Sequence, residues 1–268
     1  LERVQRDMDA SIARLSSGKR INKGHDDAAG LAIAGRMESQ IRGLTQNIRH
    51  AKDGQALVDT QEGAITEISG MLQRMRELAV MAFNGTATST DRSYLNLEMQ
   101  ALFTEIQNVS ENTQFNDTNI LTGATFNFWS DIDMAGSEIK TVAANMAPSV
   151  LGVDTAMTAS SISIGSSAKV TSLTGVVSAI SIIDAAIASV NGIRANLGAV
   201  SNRFNHVIDN LTNVVANTEA AKSRVLDADY AVETTQLTRN QILQQAATAM
   251  VAQANAQKNS VLALIQNI

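Results

Sequence analysis

The sequence predicts a mainly α protein: an elongated rod of long antiparallel helices, bundled as in a coiled coil, with a small mixed or β-containing insertion. Three observations carry this. A 4-3 apolar spacing runs without a strong breaker from about Ala28 to about Ala82, the apolar residues are mostly Ala, Val, Ile, Leu and Met, and the periodicity lapses between about Ala124 and Gly175 before it resumes. Among 268 residues there are six Phe, two Tyr, one Trp and a single proline, Pro148, which suits close helix contacts better than a deep aromatic interior.

Composition excludes several classes of function. With no cysteine, there is no disulfide framework, thiolate nucleophile or cysteine-bound metal. The formal charge of -5 carries no general polyanion signature. Residues 1–56 hold ten Lys or Arg against seven Asp or Glu, intermingled as on solvated helix faces rather than gathered in a basic stripe. Aromatic stacking groups are sparse and no nucleic-acid recognition motif occurs. No apolar run reaches membrane length, so no membrane insertion is expected. The chain opens without a cleavable signal peptide, so export implies a non-standard route or a missing natural beginning.

The elements follow in order. Val4, Met8, Ile12 and Leu15 share one helical face, and Gly18 supplies a stop. A basic turn then carries Lys19, Arg20 and Lys23, and Asp26 or Asp27 caps the next helix. That helix keeps a seam of Ile41, Leu44, Ile48, Ala51, Gln55, Val58, Glu62, Ile65, Ser69 and Leu72. At 1.5 Å per residue it is roughly 80 Å long, more than a compact enzyme accommodates. Asn84-Gly85 ends it, and Asp91 opens a third helix with a stripe of Leu95, Met99, Leu102, Ile106 and Val109. "NTQFNDTNILTG" then reads as a capping loop or hairpin anchored by Phe115, Ile120 and Leu121.

The segment from Ala124 to Gly175 reads as a small, partly extended surface insertion; in its latter part ten of twenty-one residues are Ser or Thr, and "SISIG" alternates as a brief strand. Helical spacing returns with Ile180, Ile183, Ile187, Val190, Leu197, Phe204, Ile208, Leu211 and Val215. Asp227 is placed to cap a last helix from near Ala228. From Ala246 to Ile268 only Lys258 is charged, so this helix is expected to take a partner.

The stretch "RLSSGKRINKGHDDAAGLAIAGRM", followed by "GLTQNIRHAKDGQALVDTQEGAITEISGMLQRMRELAV", "ENTQFNDTNILTG", "LGAVSNRFNHVIDNL" and "SRVLDADYAVETTQLTRNQILQQAATAMVAQANAQKNSVLALI", resembles bacterial flagellin over Leu1 to Gly123 and about Ala179 to Ile265. The resemblance implies residues 1–123 and 176–268 as the two halves of a helical rod and 124–175 as a short variable, outward-facing insertion. It implies polymerisation into the flagellar filament for motility, outside the cell in the bacterial flagellum. The partners it implies are other flagellin subunits, an export chaperone and the secretion apparatus, and the filament cap. Flagellins normally carry residues before a segment like Leu1 to Gly18, and "IQNI" stands where a leucine-arginine ending is usual, which implies trimmed or divergent termini. Two alternatives are kept: a hook-filament junction protein, and a flagellin homologue at the cell surface that binds a polysaccharide.

Candidate residues fall into three groups. Arg14, Lys19, Arg20, Lys23, Asp26 and Asp27 offer charge-assisted bonds and a helix cap beside small residues, and the matching stretch of flagellins contacts adjacent subunits, so subunit packing is expected here. By the same resemblance, Arg74, Leu78 and Glu98 are carried over as a surface read by a host toll-like receptor, with Arg74 offering a guanidinium, Leu78 an apolar knob and Glu98 an acceptor. Phe126, Phe128 and Trp129, near Asp131 and Asp133, are considered as a surface for polysaccharide or a cation, against their use as a tiny core. His25, His50 and His206 are scattered, and Asp227 and Asp229 lack the further ligands of a calcium loop, so neither catalysis, a metal nor a cofactor is expected.

Overall fold

The computed structural model describes residues 2–129, 138–142, 145–147, 150–151 and 173–266. Helix α1, Glu2–Ser17, stops where Gly18 takes φ +68°, a left-handed conformation that costs glycine little. Helix α2, Ala28–Phe83, runs 56 residues; α3 spans Ser89–Asn112, α4 spans Leu173–Leu226 and α5 spans Tyr230–Gln266. The chain divides into two compact units, one of residues Leu1–Gly43 with Val214–Ile268, the other of Leu44–Asn213.

In the first unit α1 packs against α5. Their order is antiparallel, since Gln244 Nε2 donates to Gln5 Oε1 at 2.6 Å and Arg14 donates to Glu233 at 3.0 Å. Val4, Met8, Ser11 and Leu15 form the less exposed stripe of α1. Ile12, expected on that face, is instead 47% exposed. Stepping 4-3-4 from Val4 reaches Ser11, which is 3% exposed, and a narrow contact with one partner leaves its larger neighbour outside.

The second unit holds the main core. The buried stripe of α2 runs through Ala51, Gly54, Val58, Gln61, Ile65, Ile68, Leu72, Met75, Ala79 and Ala82, in a regular 3-4 alternation. Seven of the ten expected seam positions are buried, Ser69 among them beside Ile68, whereas Ile48 is only half-buried and Gln55 and Glu62 give way to Gly54 and Gln61 immediately before them. Gln55 donates to Asn205 at 3.1 Å and Glu62 pairs with Arg194 at 3.5 Å, so these polar chains flank the seam and bridge to α4. Arg76 bonds Asp184 at 2.6 Å, which together with those pairs sets α2 and α4 antiparallel here. Ile183, Ala186, Val190, Leu197 and Phe204 of α4 and Met99 and Ile106 of α3 complete the core.

Thr88, not Asp91, is the N-cap of α3: its hydroxyl accepts from the Asp91 amide while the Asp91 carboxylate accepts from the Thr88 amide, a reciprocal capping box. Strand β1, Gln114–Phe115, pairs with β2, Thr118–Asn119, across Asn116 (φ 49°) and Asp117 (φ 59°). Two consecutive left-handed residues give the hairpin loop that matches strand twist. The hairpin hands Ile120 and Leu121, both fully buried, to the core, and Gln61 Nε2 donates to the Ile120 carbonyl at 2.8 Å. Within the expected insertion, β3, Thr125–Trp129, pairs antiparallel with β4, Glu138–Val142. The "SISIG" strand lies outside the described residues.

Candidate functional site

The turn after α1 is built from backbone bonds to a distant part of the chain. Arg20 N–H donates to the Leu226 carbonyl at 2.6 Å, Ala228 N–H to the Gly18 carbonyl at 3.0 Å, and Lys19 and Asp227 form an antiparallel bridge. The Arg20 guanidinium donates to the Val225 carbonyl at 2.7 Å, so a cation closes the negative end of α4, whose last carbonyls lack helical partners. Arg20 thus has an intrachain task that local sequence could not reveal. Asp26 and Asp27 divide the capping. Asp27 Oδ1 accepts from Gly30 N–H at 2.8 Å as the N-cap of α2, and Asp26 Oδ2 accepts from Lys23 N–H at 2.9 Å and Asn22 N–H at 3.1 Å inside the turn. Those two amides hold the Asp26 carboxyl below its ordinary pKa, with smaller contributions from His25 and Arg14. A side chain at Gly30 would stand 2.4 Å from Asp27 Oδ2 and 2.7 Å from Ile21 Cδ1, so the turn closes only over glycine.

Beside this turn lies a cleft of about 300 Å³ lined by Arg6, Asp9, Ala10, Ala13, Arg14, Asn22, Lys23, His25 and Asp26. Cations and carboxylates alternate around it, and the Lys19 and Lys23 side chains are exposed. The side chains of four of the six expected packing residues, Arg14, Arg20, Asp26 and Asp27, therefore bond within this chain. Glu233, which sequence reasoning did not single out, is the acceptor for Arg14 and is only 6% exposed. The cap of α5 is also displaced by two residues from expectation: Asp229 Oδ1 accepts from Ala231 N–H at 2.9 Å, while the Asp227 carboxylate accepts from the Ser223 hydroxyl and its backbone lies opposite Lys19 in the bridge.

Helix α5 carries an apolar face in solvent. Val232, Ile242, Leu243, Met250 and Val251 are exposed by 50%, 61%, 44%, 70% and 48%. Its less exposed positions toward α1 are instead Glu233, Leu237, Asn240, Gln244 and Ala247, mostly polar. Large apolar side chains left in solvent, while three of these five inward positions are polar, depart from the usual arrangement of a helix in a monomer.

The remaining candidates separate cleanly. Arg74 Nε donates to Glu98 Oε1 at 2.7 Å and a second guanidinium nitrogen to Glu77 at 3.0 Å, an exposed charged cluster joining α2 and α3. Glu98 first and Glu77 second raise the Arg74 pKa further. Leu78, expected as an apolar knob, is 2% exposed and belongs to the core. It sits one turn beyond Arg74 but rotated onto the inner stripe. Phe126 and Phe128 are half-buried against the helices, and Phe128 meets Phe204 edge-on with centroids 5.5 Å apart. The Trp129 side chain, Asp131 and Asp133 lie outside the described residues. Among the described residues no three His, Cys, Asp or Glu side chains converge as a metal site.

Family models match the two helical regions separately: the bacterial flagellin N-terminal helical region over residues 1–125 and the C-terminal helical region over 180–265. The chain belongs to the bacterial flagellin family. It is 42% identical over 256 residues to a flagellin of Halalkalibacterium halodurans, covering 96% of this chain and 91% of that one. Flagellin FlaB2 of Treponema pallidum is 38% identical, with 96% and 91% covered, and the flagellar filament core protein flaB2 of Brachyspira hyodysenteriae is 37% identical, with 97% and 93% covered. The crystal structure of Bacillus cereus flagellin aligns with a TM-score of 0.51 and 28% identity, over 65% of this chain and 94% of that one. Flagellin is a structural protein family, and the long packed helices of this chain are the fold it uses.

Proposed function

We propose that the chain is a structural subunit of the bacterial flagellar filament, polymerising for motility outside the cell, and that it performs no catalysis. The observation that carries the reading is the outward apolar face of α5, Ile242, Leu243, Met250 and Val251, on a helix whose segment from Ala246 on holds a single charge, Lys258. At about 25 cal/mol per Å² of apolar area, covering such a face with neighbouring subunits is a substantial drive to assemble. The mixed-charge cleft at Arg6, Arg14, Lys23 and Asp26 supplies orientation at the same contacts, as alternating charges reject wrong registers. The alternative of a hook-filament junction protein is set aside in favour of the filament, since the relatives at 37–42% identity are named as flagellins and a flagellar filament core protein.

The other partners belong to the same reading. Passage through the secretion apparatus with an export chaperone, and addition beneath a filament cap, are part of this proposal on the strength of the flagellin resemblance alone. Recognition by a toll-like receptor is supported by the exposed Arg74–Glu98 pair and not by Leu78, which is buried. Polysaccharide binding draws no support from Phe126 and Phe128, whose rings pack on the helices.

Gene deletion followed by complementation with the full protein or with Leu243→Glu and Met250→Glu tests the assembly reading. The full protein restores filaments and swimming. The substituted chain, folded by circular dichroism, forms none; normal filaments from it would overturn the role given to α5.

A further inference from the structure

We propose that Asn84 is a site of spontaneous deamidation, an ageing modification confined by the fold to the loop between α2 and α3. The sequence contains two Asn-Gly pairs, Asn84-Gly85 and Asn191-Gly192. All four residues are exposed, so access to water does not distinguish them. Backbone conformation does. Asn191 and Gly192 lie inside α4, where the glycine amide belongs to the helical ladder and the fixed dihedrals hold it away from the preceding side chain. Asn84 and Gly85 lie beyond the end of α2, in a turn with no such ladder.

The loop also prepares the amide for attack. Thr86 N–H donates to Asn84 Oδ1 at 3.2 Å, which folds the side chain over the Gly85 peptide and polarises its carbonyl. Deprotonated by a solvent base, the Gly85 nitrogen bonds to Asn84 Cγ, and negative charge develops on Oδ1, the atom that already accepts the Thr86 amide. The C–N bond to the side-chain amino group then breaks, ammonia departs with a proton, and a five-membered imide remains. Water opens the imide at either carbonyl to give aspartate or isoaspartate, so the net change is amide and water to acid and ammonia. The new carboxylate appears beside Arg92, which donates to the Ala82 carbonyl at 3.0 Å and to the Asn84 carbonyl at 3.4 Å. Isoaspartate also adds a methylene to the main chain at this turn.

Peptide mapping by mass spectrometry, with isoaspartate scored separately, tests the proposal on the full chain kept at mildly alkaline pH. Asn84 should deamidate at least about tenfold faster than Asn191 in the folded protein, a barrier difference of about 1.4 kcal/mol. In denaturant the two sites should converge. Gly85→Ala should slow the reaction at Asn84 without harming the fold, because a Cβ there meets no atom within 4 Å. Equal rates at Asn84 and Asn191 in the folded chain, or an undiminished rate in Gly85→Ala, would overturn the assignment.

Discussion

Arg14 and Glu233 are 219 residues apart in sequence and joined by a 3.0 Å ion pair that ties α1 to the first turn of α5. The Glu233 side chain is 7% exposed against 30% for Arg14, and Glu233 Oε2 is buried without a hydrogen-bond partner in the described structure. A carboxylate so placed depends on its one cation, because removing the cation strands a buried charge. Arg14→Leu should therefore destabilise the α1–α5 pair by about 1–3 kcal/mol. The double variant Arg14→Leu, Glu233→Leu should lose less than the single one. Hydrogen exchange along Glu2–Ser17 and Tyr230–Gln266 reads the effect, and equal loss in both variants would show that the pair is not coupled.

Two glycines of α2 should respond in opposite directions to alanine. A Cβ at Gly54 would lie 2.6 Å from Phe204 Cζ and 3.1 Å from Phe128 Cδ1, so Gly54→Ala forces apart the aromatic pair that seats β3 on the helices. Overpacking of this kind costs about 1–3 kcal/mol and exceeds the roughly 1 kcal/mol that alanine returns in helix propensity. Gly63 meets nothing within 4 Å, so Gly63→Ala should stabilise by about 0.5–1 kcal/mol. Urea unfolding of both variants decides the sign, and Gly54→Ala combined with Phe204→Leu should recover part of the loss.

The helices were legible in the sequence because each depends on its own periodicity, and the ends marked by Gly18 and Asp27 lie where local chemistry put them. The seam of α2 was legible at seven of its ten expected positions. Ala51, Val58, Ile65 and Leu72 announce themselves, but Gly54 and Gln61 do not look like core residues, and each is explained only by a partner from elsewhere: the Phe204 ring for Gly54 and the Ile120 carbonyl for Gln61. Candidate sites fared less well for the same reason. Arg20 reads as a surface cation until the end of α4 comes beside it, and Glu233 reads as an ordinary first-turn acid until Arg14 does. Leu78 and Arg74 are four residues apart, yet Leu78 lies buried beside Met75 and Ala79 of the inner stripe while Arg74 lies farther round the helix, at the surface.

Acid should loosen the contact of Glu38 with Lys222. Lys222 Nζ donates to Glu38 Oε2 at 2.7 Å and Arg42 Nε to Oε1 at 2.8 Å, and Lys222 first, then Arg42, lower the Glu38 pKa from 4.5 to about 2. Because the folded value is the depressed one, the pair's stabilisation is complete above about pH 4.5 and disappears as pH falls through about 2. Carboxyl titration by NMR should show the low midpoint, and Lys222→Met should move it up toward the ordinary glutamate range. A midpoint unchanged by Lys222→Met would assign the shift to another cause.

Receptor recognition at the Arg74 surface separates from stability once Leu78 is known to be buried. Leu78 packs in the cluster with Met75, Leu72 and Ile183, so Leu78→Ala should cost about 2–5 kcal/mol and lower the thermal midpoint of the chain. Any fall in toll-like receptor signalling with that variant then follows from the fold and identifies no contact. Arg74 is bonded at the surface to Glu98 and Glu77, so Arg74→Ala should leave the midpoint nearly unchanged while removing a planar donor from the exposed face. Glu98→Gln keeps the shape and removes the charge. If this face is the one recognised, both surface variants lose signalling at equal thermal stability, and Arg74→Lys recovers less than its charge alone would supply, since an ammonium cannot reproduce the guanidinium's paired bonds. Full signalling by Arg74→Ala, with loss only in Leu78→Ala, would remove the Arg74 surface from the account and leave a folding effect in its place.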